Sequence, residues 1–137
     1  MSREVLTPAT DRSSYFACAE PFGNLLLDPD TGVRLQSVRP GKAPAYVFAP
    51  ELISLVKWRP HALTLVFDQS FSYGAGRLEV AEKLRHLHCH EVFGFAYVSH
   101  ACFLVVGQDQ ALVDRASRQL TSESKLPGER LLRIGHT

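Results

Sequence analysis

The stretch that decides the fold is Glu91–Leu120, EVFGFAYVSHACFLVVGQDQALVDRASRQL. Two apolar runs of strand length, Val92–Val98 and Cys102–Val106, are separated only by a short link at Ser99 and His100. A glycine ends the second run, and an amphipathic helix follows it. Two adjacent strands followed directly by a helix form half of a split β-α-β sandwich.

The other half of such a sandwich lies upstream. Ala62–Phe67 has the apolar character of a strand, and Arg77–His88 has the periodicity of a helix. A last short strand is predicted at Leu131–Ile134. The order β-α-β-β-α with a closing strand predicts an α+β protein with a ferredoxin-like split β-α-β sandwich. Because unrelated functions share this fold, the fold alone does not name a function.

Both long helices carry an apolar stripe at helical spacing. The stripe is formed by Val80, Leu84 and Leu87 in the first helix and by Leu112, Ala116 and Leu120 in the second. Charged residues, including Lys83, are predicted on the outer face of the first helix. We expect both helices on one face of the sheet, with the other face open to solvent or a partner.

The first 37 residues are predicted to form an extension, and residues 38–137 the main domain. In the extension we expect a loose tail over residues 1–14 and a short strand at Tyr15–Ala19. Strand-like runs at Asn24–Leu27 and Val33–Val38 flank a turn-rich link, DPDTG at Asp28–Gly32, which predicts a β-hairpin. Downstream, Ala45–Ala49 is strand-like, and Glu51–Lys57 reads as a short helix.

Composition argues against several classes of protein. The chain has 137 residues, 15 basic and 14 acidic, for a formal charge of +1, and this balance gives no electrostatic case for nucleic-acid binding. No apolar run is long enough for a membrane span or a signal peptide. Three cysteines without C-x-x-C spacing, Cys18, Cys89 and Cys102, indicate reduced thiols. We therefore expect a cytoplasmic protein with no nucleic-acid or membrane partner.

The segment His86-Leu87-His88-Cys89-His90 is the strongest candidate for a metal site. His86 and His90 are four residues apart and could share a metal on one helical turn. The shell could be completed by His61, His100, Cys18 or Cys102. We nevertheless expect no bound metal, because the C-terminus of a helix favours exposed histidines through the macrodipole. A His-hydrophobic-His nuclease motif is disfavoured, because that motif belongs on a strand and needs a tyrosine on a later helix.

Other motifs give little support for catalysis. Gly74–Arg77 opens a helix where backbone amides can hold phosphate, but the full dinucleotide and Walker patterns are missing. Asp28–Gly32 resembles the start of a calcium loop but has no closing glutamate. The sequence contains no G-x-S-x-G motif. We predict a protein that is not an enzyme and needs no cofactor.

Taken together, residues 38–137 resemble the circularly permuted class of bacterial microcompartment shell proteins of ethanolamine and propanediol compartments. The resemblance is carried by these segments in order: Val38–Lys42, Ala62–Val66 with the helix that follows, Gly94-Phe95 through Gly107, Gln110–Val113 and Ile134–Thr137. The chain departs from the family pattern at Lys83 and Leu87, where the family has an aspartate and an edge lysine. This departure predicts a different packing at the tile edge.

The resemblance implies a fold of the permuted shell type and a function in assembly. Members form cyclic homohexamers that pack into sheets enclosing enzymes, with a central opening for small metabolites. By analogy, Ser99, His100 and Ala101 would line this opening, and the segment around Asp28–Gly32 would belong to a cap over it. The implied partners are further copies of the chain, other shell proteins and encapsulated enzymes, in a shell in the cytoplasm.

A second interpretation stays open on the sequence. It is a small, dimeric α+β-barrel enzyme or ligand sensor that uses His86 and His90 with a metal or an anion. A nucleic-acid-processing domain is a third possibility, disfavoured by charge. The solution mass separates the first two interpretations, because one predicts six chains and the other two.

Overall fold

The computed structural model describes residues 7–18, 23–36, 41–70, 76–124 and 126–133, which contain four α-helices and seven strands. The helices are α1 (Arg12–Ala17), α2 (Ala49–Trp58), α3 (Gly76–Cys89) and α4 (Gln110–Ser122). The strands are β1 (Leu25–Leu27), β2 (Gly32–Arg34), β3 (Tyr46–Phe48), β4 (Thr64–Asp68), β5 (Phe93–Val98), β6 (Cys102–Gly107) and β7 (Leu131–Arg133). The predicted features at Val38–Pro40, Gly74-Ala75 and Ile134–Thr137 lie outside the described residues.

A mixed five-stranded sheet forms the centre of the fold, in the order β1-β4-β6-β5-β7. β4, β6, β5 and β7 pair antiparallel in that order, whereas β1 runs parallel to β4 at one edge. A second, two-stranded sheet pairs β2 with β3 in parallel. The chain is thus a mixed α/β structure of the predicted α+β class, and the predicted order β4-α3-β5-β6-α4-β7 is confirmed.

Helices pack on both faces of the sheet. One core cluster joins alternate strand residues such as Val66 and Leu104 to apolar residues of α2 and α3, and a second joins Leu65, Phe95 and Val105 to Val113, Ala116 and Leu120 of α4. Because successive strand residues point to opposite faces, α3 and α4 lie on opposite sides of the sheet. The prediction that both helices share one face is wrong. An apolar stripe shows that a helix packs against the core, but it does not show on which side of the sheet the helix packs.

Part of the α4 side of the sheet remains open. Phe67 and Phe103 pair across β4 and β6 on this side, with ring centroids 4.9 Å apart. Phe103 is 37% exposed, and Leu26 on the edge strand β1 is 64% exposed. Tyr97, opposite Phe103 on β5, is half-buried. We call Leu26, Phe67, Tyr97 and Phe103 the aromatic face.

The N-terminal part of the chain differs from the prediction. β1 pairs with β4 and β2 pairs with β3, so the two runs flanking Asp28–Gly32 do not form a hairpin with each other. The predicted β-hairpin extension is therefore wrong. The link contains turn residues, but β1 and β2 each pair in parallel with a strand later in the chain. Local turn residues cannot specify such a partner.

A helix replaces the strand predicted at Tyr15–Ala19, and it begins inside the predicted loose tail. α1 is held to the body by Arg12, whose Nε and Nη2 donate to the two carboxylate oxygens of Glu51 at 2.6 and 2.7 Å. The same guanidinium donates to the carbonyls of Ala43 at 3.0 Å and Tyr46 at 2.8 Å. Its carbon lies 4.3 Å from the centroid of the Phe48 ring. This clamp orders a helix of six residues, which is too short to be stable by itself.

Candidate functional site

The most unusual group of side chains in the described structure is a buried polar cluster at the end of β4. Lys83 Nζ of α3 donates to Asp68 Oδ2 at 2.6 Å and to Ser70 Oγ at 2.8 Å. Asp68 Oδ1 accepts bonds from the backbone N–H of Ser70 at 2.9 Å and lies 2.6 Å from Ser70 Oγ. The side chain of Asp68 is fully buried and that of Lys83 is 8% exposed. The cluster joins the sheet to α3 through a desolvated ion pair.

Gly32 makes room for this cluster. A Cβ atom at this position would overlap the Asp68 carboxylate and come within 2.8 Å of Ser70 Oγ. Gly32 also has φ +149°, a conformation that side-chain-bearing residues rarely adopt. Ser70 Oγ lies 3.1 Å from the carbonyl oxygen of the neighbouring Val33. The start of β2 is thus pressed against the ion pair, and only glycine fits there.

The cluster does not have the chemistry of a serine–lysine hydrolase, although Ser70 and Lys83 are in contact. In such an enzyme the lysine amine takes the serine proton. Here the Lys83 nitrogen is bonded to Asp68, and the single Ser70 hydroxyl proton has two nearby acceptors, Asp68 and the Val33 carbonyl. The arrangement acts as an anchor that fixes charges in place, not as an activated nucleophile.

Cys102 lies beside the cluster, opposite Asp68 in the pairing of β4 with β6. Burial raises the pKa of the Cys102 thiol to about 12, the Asp68 carboxylate raises it as well, and the Lys83 ammonium partly opposes this. Because the thiolate is the reactive form of cysteine, Cys102 is chemically inert at neutral pH. Cys18 and Cys89 are exposed.

A cleft of about 550 Å³ opens beside the cluster, between the end of β2 and α3. Its lining consists of Val33, Arg34, Leu35, Gln36, Ser70, Glu79, Glu82 and Lys83. The volume lies in the range typical of small-molecule sites. The anchor residues Ser70 and Lys83 therefore border a space that is large enough for a ligand.

The residues of the alternative metal site are only partly brought together. The rings of His86 and His90 lie 5.0 Å apart between centroids. His61, His100 and Cys18 are exposed, and Cys102 is buried in the core. Among the described residues, no group of three or more histidine, cysteine or acidic side chains could hold a metal ion. The alternative site at His86 and His90 thus has two adjacent imidazoles and no third ligand within the described part of the chain.

The predicted turn between the two central strands is confirmed. β5 ends at Val98 and β6 begins at Cys102. The Ser99 N–H donates to the Ala101 carbonyl at 2.8 Å, which closes the turn. Ser99 and His100 are exposed and Ala101 is half-buried. Their role in lining an opening stays a prediction.

Lys83 was predicted on the outer face of its helix, and this is wrong because Asp68 pairs with it inside. The sequence does contain a signal for the pair. Asp68 continues the alternation of buried residues from Thr64 and Val66 on β4, and Lys83 is three residues after Val80 on the apolar side of α3. A charged residue in phase with a buried stripe on each of two neighbouring elements predicts a buried ion pair.

No protein-family model matches the chain, and no curated protein or solved structure shows significant similarity to it. Within the described ranges, no helix has the length and apolar character needed to cross a membrane.

Proposed function

We propose that this chain is a structural protein that assembles into cyclic hexamers, each a tile in a shell around enzymes. The observation that carries the proposal is the aromatic face. Leu26 and Phe103 are exposed on the same side of the main sheet, with Phe67 between them. An exposed cluster of large apolar side chains on a sheet is typical of a surface that contacts another protein. Further copies of the chain would cover it in the assembly.

The hexamer and the shell come from the resemblance of residues 38–137 to permuted microcompartment shell proteins. In this assembly the β5–β6 turn would lie near the six-fold axis, with Ser99, His100 and Ala101 around a central opening. The exposure of Ser99 and His100 supports this role. The partners would be other shell proteins and the enclosed enzymes. Catalytic residues and a cofactor are not required by such a function.

The mass in solution tests the proposal. We expect about 91 kDa by light scattering, for six chains of 15.2 kDa in a closed ring. Phe103→Glu should reduce the mass to that of one chain, because a charge in the contact would remain desolvated. Leu78→Glu is the matched control, since Leu78 is 74% exposed on α3, on the other side of the sheet. Circular dichroism checks that both variants fold. A single-chain or two-chain mass for the unmodified protein across a wide concentration range would rule out the tile.

The position of the β5–β6 turn has its own test. Six like charges around an axis would repel one another. His100→Asp should therefore dissociate the hexamer at pH 7.5, whereas the uncharged His100→Asn should leave it intact. A His100→Asp hexamer as stable as that of the unmodified protein would place His100 away from the axis, without affecting the hexamer itself.

A further inference from the structure

The cleft between β2 and α3 carries opposite charges on its two walls. Arg34 extends from the end of β2, and Glu82 belongs to α3; both are exposed and line the cleft. Glu79, a second acidic residue of the α3 wall, already has an interaction of its own. Arg34 stacks over the Tyr46 ring, with its guanidinium carbon 5.3 Å from the centroid. None of the ion pairs within the described residues joins Arg34 to Glu82. The walls thus present a cation and an anion that do not neutralise each other.

The inner end of the cleft is fixed by the buried cluster. The Lys83 ammonium has three N–H donors, of which one bonds Asp68 and one bonds Ser70. The third has no acceptor among the residues that the structure describes. Because Asp68 balances the charge of Lys83, this end supplies a hydrogen-bond donor without adding net charge. The position of the donor is set by the hydrogen bonds of Lys83 to Asp68 on β4 and to Ser70.

We infer that the cleft binds a zwitterionic small molecule of the size of a free amino acid or a dipeptide. The carboxylate of the ligand would pair with Arg34 and accept the third N–H of Lys83. Its ammonium group would pair with Glu82 on the opposite wall. A ligand with one charge would leave one wall unpaired, so a molecule that carries both charges fits best. The volume of about 550 Å³ accommodates such a molecule with its side chain. This inference is independent of the proposed assembly.

Titration calorimetry tests the inference on the full chain at pH 7.5. The probes are the twenty free amino acids and glycylglycine, together with butylamine and butyrate as ligands with one charge. We expect at least one zwitterion to bind, and the two single-charge compounds to bind at least ten-fold more weakly than that zwitterion. Failure of every zwitterion to bind, or equal binding of the single-charge compounds, would overturn the inference.

Variants locate the binding. Arg34→Ala and Glu82→Ala should each weaken binding at least ten-fold, whereas Arg118→Ala, an exposed arginine on α4 across the sheet, should leave it unchanged. The exchange of both charges, Arg34→Glu with Glu82→Arg, should restore little of the affinity, because a reversed ligand would bring its ammonium group against the N–H of Lys83. Unchanged binding in both single variants would place the ligand elsewhere and contradict the assignment.

Discussion

Two of the ion pairs among the described residues join a helix to the body of this protein and differ in burial. The Lys83–Asp68 pair connects α3 to the sheet with side chains 8% and 0% exposed, whereas the Arg12–Glu51 pair connects α1 to α2 with side chains 18% and 16% exposed. Asp68 is fully buried and the Lys83 side chain is only 8% exposed, so water can replace a lost partner only where Lys83 borders the cleft. The second pair is half-buried, and its arginine makes several hydrogen bonds at once. Burial therefore decides whether a pair is indispensable or merely helpful, and this difference can be measured.

The largest effect is expected from Asp68→Ala. It leaves the Lys83 ammonium buried without an anion, which should lower the free energy of unfolding by about 3–5 kcal/mol. Urea denaturation measures the loss. Asp114→Ala is the matched control, since Asp114 pairs with Arg133 at 3.6 Å in a largely exposed position, and should cost less than about 1 kcal/mol.

A second substitution shows whether the Asp68 effect is electrostatic. Lys83→Met in the Asp68→Ala background removes the unpaired charge and should recover more than half of the lost stability. A double variant as unstable as Asp68→Ala would mean that packing, and not charge, accounts for the stability that Asp68 contributes.

The next largest effect is expected from Gly32→Ala. The added methyl group would overlap the Asp68 carboxylate, and alanine disfavours the backbone conformation at this residue. The two effects together should cost about 2–4 kcal/mol. Gly23→Ala is the control, because among the described residues no atom beyond its chain neighbours lies within 4 Å of a Cβ placed there. Similar melting temperatures for the two variants would contradict the close approach of β2 to the cluster.

A smaller loss is expected from Arg12→Ala. It removes the half-buried bonds to Glu51 and to two carbonyls, and should cost about 1–2 kcal/mol. Arg12→Lys should recover little of this stability, because a lysine cannot make the bidentate hydrogen bonds of the guanidinium. Limited proteolysis should cut near α1 faster in both variants. A lysine variant as stable as the unmodified protein would show that only the charge matters.

The smallest effect at neutral pH is expected from the titration of Cys102. Its pKa is raised to about 12 in the folded chain, so above the ordinary thiol pKa of about 8.5 the unfolded chain loses a proton that the folded chain keeps. Stability from this group is complete below that value and falls by about 1.4 kcal/mol per pH unit as the pH rises towards 12. Cys102→Ala should show a shallower decline between pH 9 and 11 in urea denaturation. Parallel declines would contradict the buried thiol.

Some of the fold could be predicted because the hydrophobic periodicity of a segment indicates which of its side chains are buried. The alternation and apolar density of residues 92–106 indicate β5 and β6, and the stripe through Val80, Leu84 and Leu87 indicates α3. The turn at Ser99–Ala101 follows from the short link between two apolar runs. Only a small part of the candidate site was predicted, because the signals at Asp68 and Lys83 are single charged residues that interrupt otherwise ordinary stripes.

The sequence by itself determined the type and order of the main elements from β4 to β7, because each long element repeats its burial pattern over several residues. Tertiary structure alone decided that α4 lies across the sheet from α3, and that β1 and β2 pair with β4 and β3. Strands of three residues carry too few side chains to specify a partner. The burial of Lys83 was decided in the same way, since a lysine enters a core only where a carboxylate such as that of Asp68 is already in place to receive it.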